Sequence, residues 1–293
     1  MQVRLLDLDG SLMQQQGLLG RCHRPQIVAL QDLAPSLRLW GSAQAMQDYA
    51  DRLAASPPSE HGPDVTFIGS GDFHHLTTAL LARQTEPISL IHFDNHPDCV
   101  RFPPRWHCGS WINRALELPM IHKIVTLGPC SDDLVWPQLK GLNLRAVRQG
   151  QLELWPWRHP PSRLLSGGYL EWLSLGDHPD WLGILDEILL RLPTKRVWIS
   201  LDKDVLQPDD AVTNWDQGQM PLAALLAGLR RIAQRCQVVG IDICGDYSPV
   251  VLKGWWRKFS AWLDHPPQPD HKVWSRNDLV NCRLLDVIAG MKS

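Results

Sequence analysis

Apolar residues gather in short, nearly continuous runs spaced widely along the chain. Gln2–Asp9, Asp64–Ile68, Ile88–Asp94, Lys123–Leu127, Arg196–Asp202 and Gln237–Cys244 are rich in Val, Ile and Leu and predict strands covered on both faces. Between them apolar positions recur at helical spacing. They predict helices over Leu76–Arg83, Trp111–Glu117, Leu182–Leu192 and Pro221–Arg235, the last with proline in its first turn. Strand alternating with helix predicts a parallel sheet with helices on both sides. The Pro/Trp-rich stretch Trp155–Ser174 breaks the rhythm and predicts an excursion over the surface. Lys253–Trp274 carries four tryptophans and a Pro-rich bend, and predicts a C-terminal wrap around the core. No stretch reads as a linker, so one domain over residues 1–293 is expected.

Composition narrows the function classes. The chain is 44% hydrophobic with a net charge of −2, which implies no broad pull on nucleic acid or an anionic membrane. No apolar run approaches the ~18–20 residues of a membrane span. Asp7 falls too early for a signal peptide. Seven cysteines without a Cys-x-x-Cys pair point to reduced thiols, hence a cytoplasmic setting, and not to disulfides or a zinc knuckle. The 14 tryptophans are the compositional oddity; they suit core packing, or in part an open groove for an extended ligand.

The candidate chemistry sits where the predicted strands end. Gly71-Asp72-Phe73-His74, Asp94-Asn95-His96-Pro97-Asp98 and Ser200-Leu201-Asp202-Lys203-Asp204 follow three of them. His107-Cys108-Gly109 and Asp246-Tyr247-Ser248-Pro249 supply further proton-handling groups. If the extended chain persists, alternation puts Asp94, His96 and Asp98 on one side, and likewise Asp202 and Asp204. Open parallel sheets place ligands outside the carboxyl ends of their strands. Four carboxylates and two imidazoles form a hard O/N set that suits Mn²⁺ better than Zn²⁺. Carboxylates that bridge allow two cations ~3.5–4 Å apart to share a hydroxide. An isolated Asp-x-Asp is commonly a solvated loop, and one of His74 and His75 can be simple packing. The conjunction, in this order, carries the case.

That series resembles the arginase/agmatinase (ureohydrolase) superfamily over most of residues 64–249. The family's Gly-Gly-Asp-His, Asp-Ala-His-x-Asp and Ser-x-Asp-x-Asp motifs are similar to the three segments above. The resemblance makes His74, Asp94, His96, Asp98, Asp202 and Asp204 ligands to two Mn²⁺ ions. It implies a three-layer αβα fold with a mostly parallel sheet and hydrolysis of a guanidinium C–N bond to release urea. His107 resembles the family's proton-shuttling histidine, with one residue inserted before the glycine. Asp246 is similar to the Glu that grips the substrate guanidinium, one methylene shorter, and a carboxylate is the natural partner of that cation. Asp242 competes for this role, although its place within a strand suggests a structural one.

The loop Cys99-Val100-Arg101-Phe102-Pro103-Pro104-Arg105-Trp106 departs from the family. In arginases acting on the free amino acid it is longer and carries polar groups for the α-carboxylate and α-amine. Val100 stands in the place of one of them. A site without those donors has little means to select a free amino-acid head group. The chain therefore looks more like the peptide arginases of ribosomal natural-product pathways, which convert arginine in a peptide to ornithine. An arginine-containing peptide is the expected partner, with free arginine or agmatine as the alternative; a homo-oligomer stays open. Arg101 and Arg105 could contact an acidic leader or be solvated loop charge. Deacetylases share the sheet but typically use one zinc, and a binding module with an inherited site is a further rival. Asp7-Leu8-Asp9-Gly10-Ser11 resembles a phosphatase nucleophile motif, but Gly176-Asp177-His178-Pro179-Asp180 imitates the required second acidic motif poorly.

Overall fold

The computed structural model describes residues 2–59, 62–101, 106–249 and 273–291. Its centre is an eight-stranded sheet in which every pairing is parallel. The strands are β1 (Gln2–Asp7), β2 (Gln26–Ala29), β4 (Asp64–Phe67), β5 (Ile88–Phe93), β7 (Ile121–Leu127), β8 (Leu152–Trp155), β11 (Arg196–Asp202) and β12 (Gln237–Cys244). Their order is β2-β1-β4-β12-β11-β5-β7-β8. Two-stranded ribbons join β3 (Trp40–Gly41) to β6 (Trp106–His107) and β9 (Ser162–Arg163) to β10 (Tyr169–Leu170). The last ribbon occupies the Trp155–Ser174 excursion. The chain leaves the middle of the sheet after β4, resumes at β5, and returns with β11 and β12 to fill the gap. The carboxyl ends of these four strands form the switch point where such sheets hold ligands.

Successive residues of the inner strands face opposite layers, as the pleat requires. On one face Phe67, Ile91, Val125, Ile199 and Ile241 pack with α7 (Trp181–Leu190), α8 (Leu222–Arg235) and α9 (Val273–Ala289). On the other, Leu6, Leu90, Ile124 and Trp198 pack with α3 (Ala43–Ala54), α4 (Thr77–Leu81) and α5 (Trp111–Ala115). Short helices α1 (Gln16–Arg21), α2 (Ala34–Leu37) and α6 (Leu144–Arg148) complete the layers. The expected αβα architecture is thus the observed one.

α8 shows how sequence makes an element here. Leu225, Leu229 and Ile232 lie at helical spacing on one buried stripe. Pro221 is the N-cap in extended backbone, one residue outside the first turn expected for it, and Asp210 Oδ2 accepts the Leu222 amide at 2.8 Å. Each fully buried leucine contributes roughly 1.5–3 kcal/mol, so truncating Leu229 would cost about 2–5 kcal/mol. Among the described residues, no helix is long and apolar enough to cross a membrane. The expected C-terminal wrap falls almost wholly outside the described residues, as do Phe102–Arg105 of the departing loop.

Candidate metal centre

β4 ends at Phe67, and Gly69 turns the chain with φ +97°. Ser70 then caps a 3₁₀ turn, Gly71–Leu76, by accepting the Asp72 amide, and this turn presents His74. Gly71 is required by proximity: a Cβ there would lie 2.6 Å from Asp202 Oδ2. β5 and β11 pair Ser200 with His92 and Leu201 with Phe93, which brings the next residues, Asp202 and Asp94, abreast. Asp202 is paired with Cys244 on its other side.

The alternation argument fails beyond this point. β5 stops at Phe93, and Asp98 adopts φ +46°, a left-handed conformation that a non-glycine residue enters at a cost. Its carbonyl accepts the Ile112 amide at 3.1 Å, and Trp111 Nε1 donates to its Oδ2 at 2.7 Å. β11 stops at Asp202, and a 3₁₀ turn, Lys203–Val205, presents Asp204. Tight turns, held by such bonds, bring the candidate ligands together.

All six predicted ligands converge. His74 Nδ1 lies 3.2 Å from Asp94 Oδ2, 3.3 Å from Asp98 Oδ2 and 3.6 Å from Asp202 Oδ2. His96 Nδ1 lies 3.5 Å from Asp94 Oδ1 and 3.0 Å from Asp204 Oδ2. The two oxygens of Asp94 therefore face two different imidazoles, the arrangement of a bridging carboxylate. Both imidazoles are aimed by their other nitrogen. Ser200 Oγ donates to Asp242 Oδ1 at 2.7 Å, so it accepts from His74 Nε2 at 2.9 Å. Asp216 Oδ1 accepts from His96 Nε2 at 2.9 Å. Each Nδ1 thus points toward the carboxylates, His96 Nδ1 bonding to Asp204 Oδ2 at 3.0 Å, and on loss of its proton would offer a lone pair there, as in metal-binding histidines fixed by outer partners. His74 Nδ1 is buried and makes no hydrogen bond among the described residues, although three carboxylates surround it. A buried imidazole nitrogen without a hydrogen bond, set inside an acidic cage, fits a site where a cation would replace its proton.

The electrostatics agree. Burial drives the Asp98 carboxyl up to about 8, with the Asp94 charge adding to the push. Burial and then Asp202 and Asp94 hold Asp204 well above the carboxylate range. Asp94 goes the other way: burial opposes ionisation, but His92, His74 and His96 together hold it well below. Burial opposes protonation of His74 and His96, yet Asp94 and Asp98 raise the first and Asp204 raises the second. Negative charge crowded into a buried cluster holds protons that a metal would replace.

The remaining predicted residues are placed differently. His107 stacks on Trp40 with ring centroids 5.9 Å apart, and its Nδ1 accepts the Gly109 amide at 3.0 Å. A Cβ at Gly109 would lie 3.6 Å from His107 Nδ1 and 4.0 Å from Asp98 Oδ1, so both flank one small space. Burial pushes the His107 imidazole down to about 4, which leaves it neutral near pH 7. Asp246 is wholly buried and bonded to Lys203, 2.5 Å from its Nζ, so the guanidinium grip expected of it meets a carboxylate that already holds a cation. Asp242 takes the structural role, accepting from Ser200, Thr77 and Trp198.

The sequence did not single out His92, whose Nε2 is 2.9 Å from Asp94 Oδ2, nor Asp216. His92 stands on β5 two residues before Asp94, which follows the strand's end, a spacing that could have revealed it. Asp216 lies in a loop without periodicity, and no local signal marks it.

No protein-family profile matches the sequence. An uncharacterised protein of Thermotoga maritima is 32% identical over 193 residues, which is 66% of this chain. The match spans 61% of that relative's length, under two thirds. Formimidoylglutamase from Bacillus subtilis is similar in structure, with a TM-score of 0.62 and 14% identity over 99% of this chain and 86% of that one. Arginase from Bacillus caldovelox gives 0.60 and 14% over 99% of each chain. A hypothetical agmatinase from Burkholderia thailandensis gives 0.58 and 16% over 98% of this chain and 86% of that one. The fold is thus the one shared by arginase, agmatinase and formimidoylglutamase structures.

Proposed function

We propose that the chain is a dinuclear ureohydrolase that cleaves the guanidinium group of arginine held in a peptide, giving ornithine and urea. The observation that carries this reading is Asp94, whose two oxygens face two separately oriented imidazoles. His74, Asp94, Asp98 and Asp202 would hold one cation, and His96, Asp94 and Asp204 the other. The oxygen-rich donor set favours Mn²⁺. Bound there, a metal pair supplies Lewis acidity and a water acidified to near neutral pH.

The protein's own groups do the rest. Ser200 and Asp216 keep both Nδ1 atoms directed inward. His107, neutral at working pH, can take a proton and return it to a departing amine, a role open to a positioned imidazole. Trp111 fixes the Asp98 carboxylate. What supports a peptide over a free amino acid is the rim: Cys99 is buried, and Val100, whose backbone bridges to Leu142, brings no polar side chain. A free head group brings two charges that need partners, whereas a peptide bond brings neutral groups.

The test is incubation of Mn²⁺-loaded protein with an arginine-containing peptide, free arginine and agmatine, followed by mass spectrometry and a urea assay. Loss of CH₂N₂ from the peptidyl side chain is expected, with kcat/KM ~10²-fold above free arginine. Equal or faster turnover of a free small molecule would overturn the peptide reading. Release of acetate from acetylated amines, with no urea, would overturn the reaction class.

A further inference from the structure

Lys203 stands between two aspartates of the centre, and its side chain is wholly buried. Its ammonium donates to Asp246 Oδ1 at 2.5 Å and to Asn281 Oδ1 at 2.9 Å. Asp246 also accepts from Gln15 Nε2 at 2.8 Å, and Asn281 Nδ2 donates to Gln15 Oε1 at 2.7 Å. Four segments meet there: the loop after β1, the turn after β11, the exit from β12, and α9. Nothing in the proposed reaction uses these groups.

The backbone ties this cluster to the ligands. Gly245 has φ +85°, and a Cβ there would lie 2.3 Å from Asp202 Oδ1 and 2.6 Å from the Lys203 amide nitrogen. The exit from β12 is therefore pressed against the end of β11 and the turn after it, which carry Asp202 and Asp204. The Asp246 amide donates to Gly69 O at 2.8 Å, which stitches the same segment to the turn leading to His74.

We infer that Lys203 and Asp246 are positioning residues for the metal centre. The ion pair fixes the Asp202–Asp204 turn, and Asp246 is not the substrate's carboxylate. This rests on reading the cluster as a metal site. Losing one partner leaves an uncompensated buried charge, which destabilises strongly; losing both removes that penalty but not the misplaced turn.

The test uses the full chain as wild type, Lys203→Met, Asp246→Asn and the double variant. Mn²⁺ affinity is titrated by electron paramagnetic resonance, beside thermal stability, kcat and KM. Either single variant should lower stability. The double variant should regain most of it yet bind Mn²⁺ on the order of 10-fold or more weakly, the scale of outer-sphere effects at metal sites. In every folded variant kcat should fall with KM unchanged. Wild-type Mn²⁺ affinity in the double variant would overturn the inference. So would an Asp246→Asn protein with raised KM and intact metal binding, since that places Asp246 on the substrate. The titration needs no turnover, so failure to release urea would sink the proposed reaction while this inference is still decided.

Discussion

His74 lies at the floor of the centre with 1% of its side chain exposed, whereas His96 stands at the rim with 15%. The floor imidazole is aimed through Ser200 by Asp242, and all three are buried among strands of the sheet. The rim imidazole is aimed by Asp216, a loop residue whose side chain is 59% exposed. One half of the site is thus part of the core, and the other is fastened to it from outside. Damage to the floor should appear first as lost stability, and damage to the rim as lost metal with the fold intact.

Asp94 belongs to both halves, so its loss should collapse the comparison. Asp94→Ala is expected to abolish binding of both ions and to cost more than the ~10–100-fold in metal affinity typical of outer partners. Metal analysis after dialysis would check it; one retained ion would show that Asp94 does not bridge. His107→Ala lies outside both halves. It should keep the metals and slow turnover by ~10²–10⁴-fold. An unchanged rate across neutral pH would remove His107 from the chemistry.

The halves themselves separate with paired variants. Asp216→Ala should weaken Mn²⁺ binding by ~10–100-fold with the melting temperature nearly unchanged. Asp216→Asn keeps an acceptor for His96 Nε2 and should recover most of that loss. Asp242→Ala should instead unfold the protein more easily, by about 1–3 kcal/mol for each buried donor left unpaired. If both positions affect stability equally, the two halves do not differ as described.

The smallest effect is in the metal-free protein. Asp98 has a folded value of about 8 against an ordinary 3.8, so over that window the folded state holds a proton that the unfolded state has lost. His74 and His96, raised above 6.5, contribute stability that is fully present below 6.5 and is lost as pH rises through their folded values. All three act in the same direction. The apo protein should therefore melt a few degrees lower near pH 8 than near pH 6, and Mn²⁺ uptake should release protons. Differential scanning with and without chelator checks the sign; a metal-free protein more stable at the higher pH would contradict it.

The buried strands and the ligand chemistry could be read from the sequence because each depends on residue type in a local pattern. β4, β5, β11 and β12 are runs of apolar residues, and nothing else explains Ile88–Phe93 or Gln237–Cys244. β2 escaped notice because Gln26–Ala29 alternates half-buried and exposed residues at the sheet edge, where fewer apolar side chains are needed. α3 escaped because Gln44, Gln47, Asp48 and Asp51 dilute the stripe formed by Ala45, Met46, Tyr49 and Leu53. The candidate ligands are legible from their chemistry, but the turns that gather them are not, since the left-handed backbone at Asp98 has no signature in an aspartate. Asp216 and Lys203 act through partners more than 40 residues away, and such pairings leave no trace in local spacing.

The strand order also sets when the centre can form. Among the described residues β12 is the last strand in the chain, yet it lies between β4 and β11 and pairs with both. Asp64 of β4 must wait for Gly240 of β12 before the middle of the sheet closes. Until then the turns bearing His74 and Asp202 lack the wall that presses them together. Pairing between such distant segments is slow, because chain entropy must be lost before contacts reward it. A nascent chain that has released β5 but not β12 would thus carry most of the ligands with no competent cage. On the proposed reading, metal capture would then be a late event in the life of each molecule, reporting that the fold has closed.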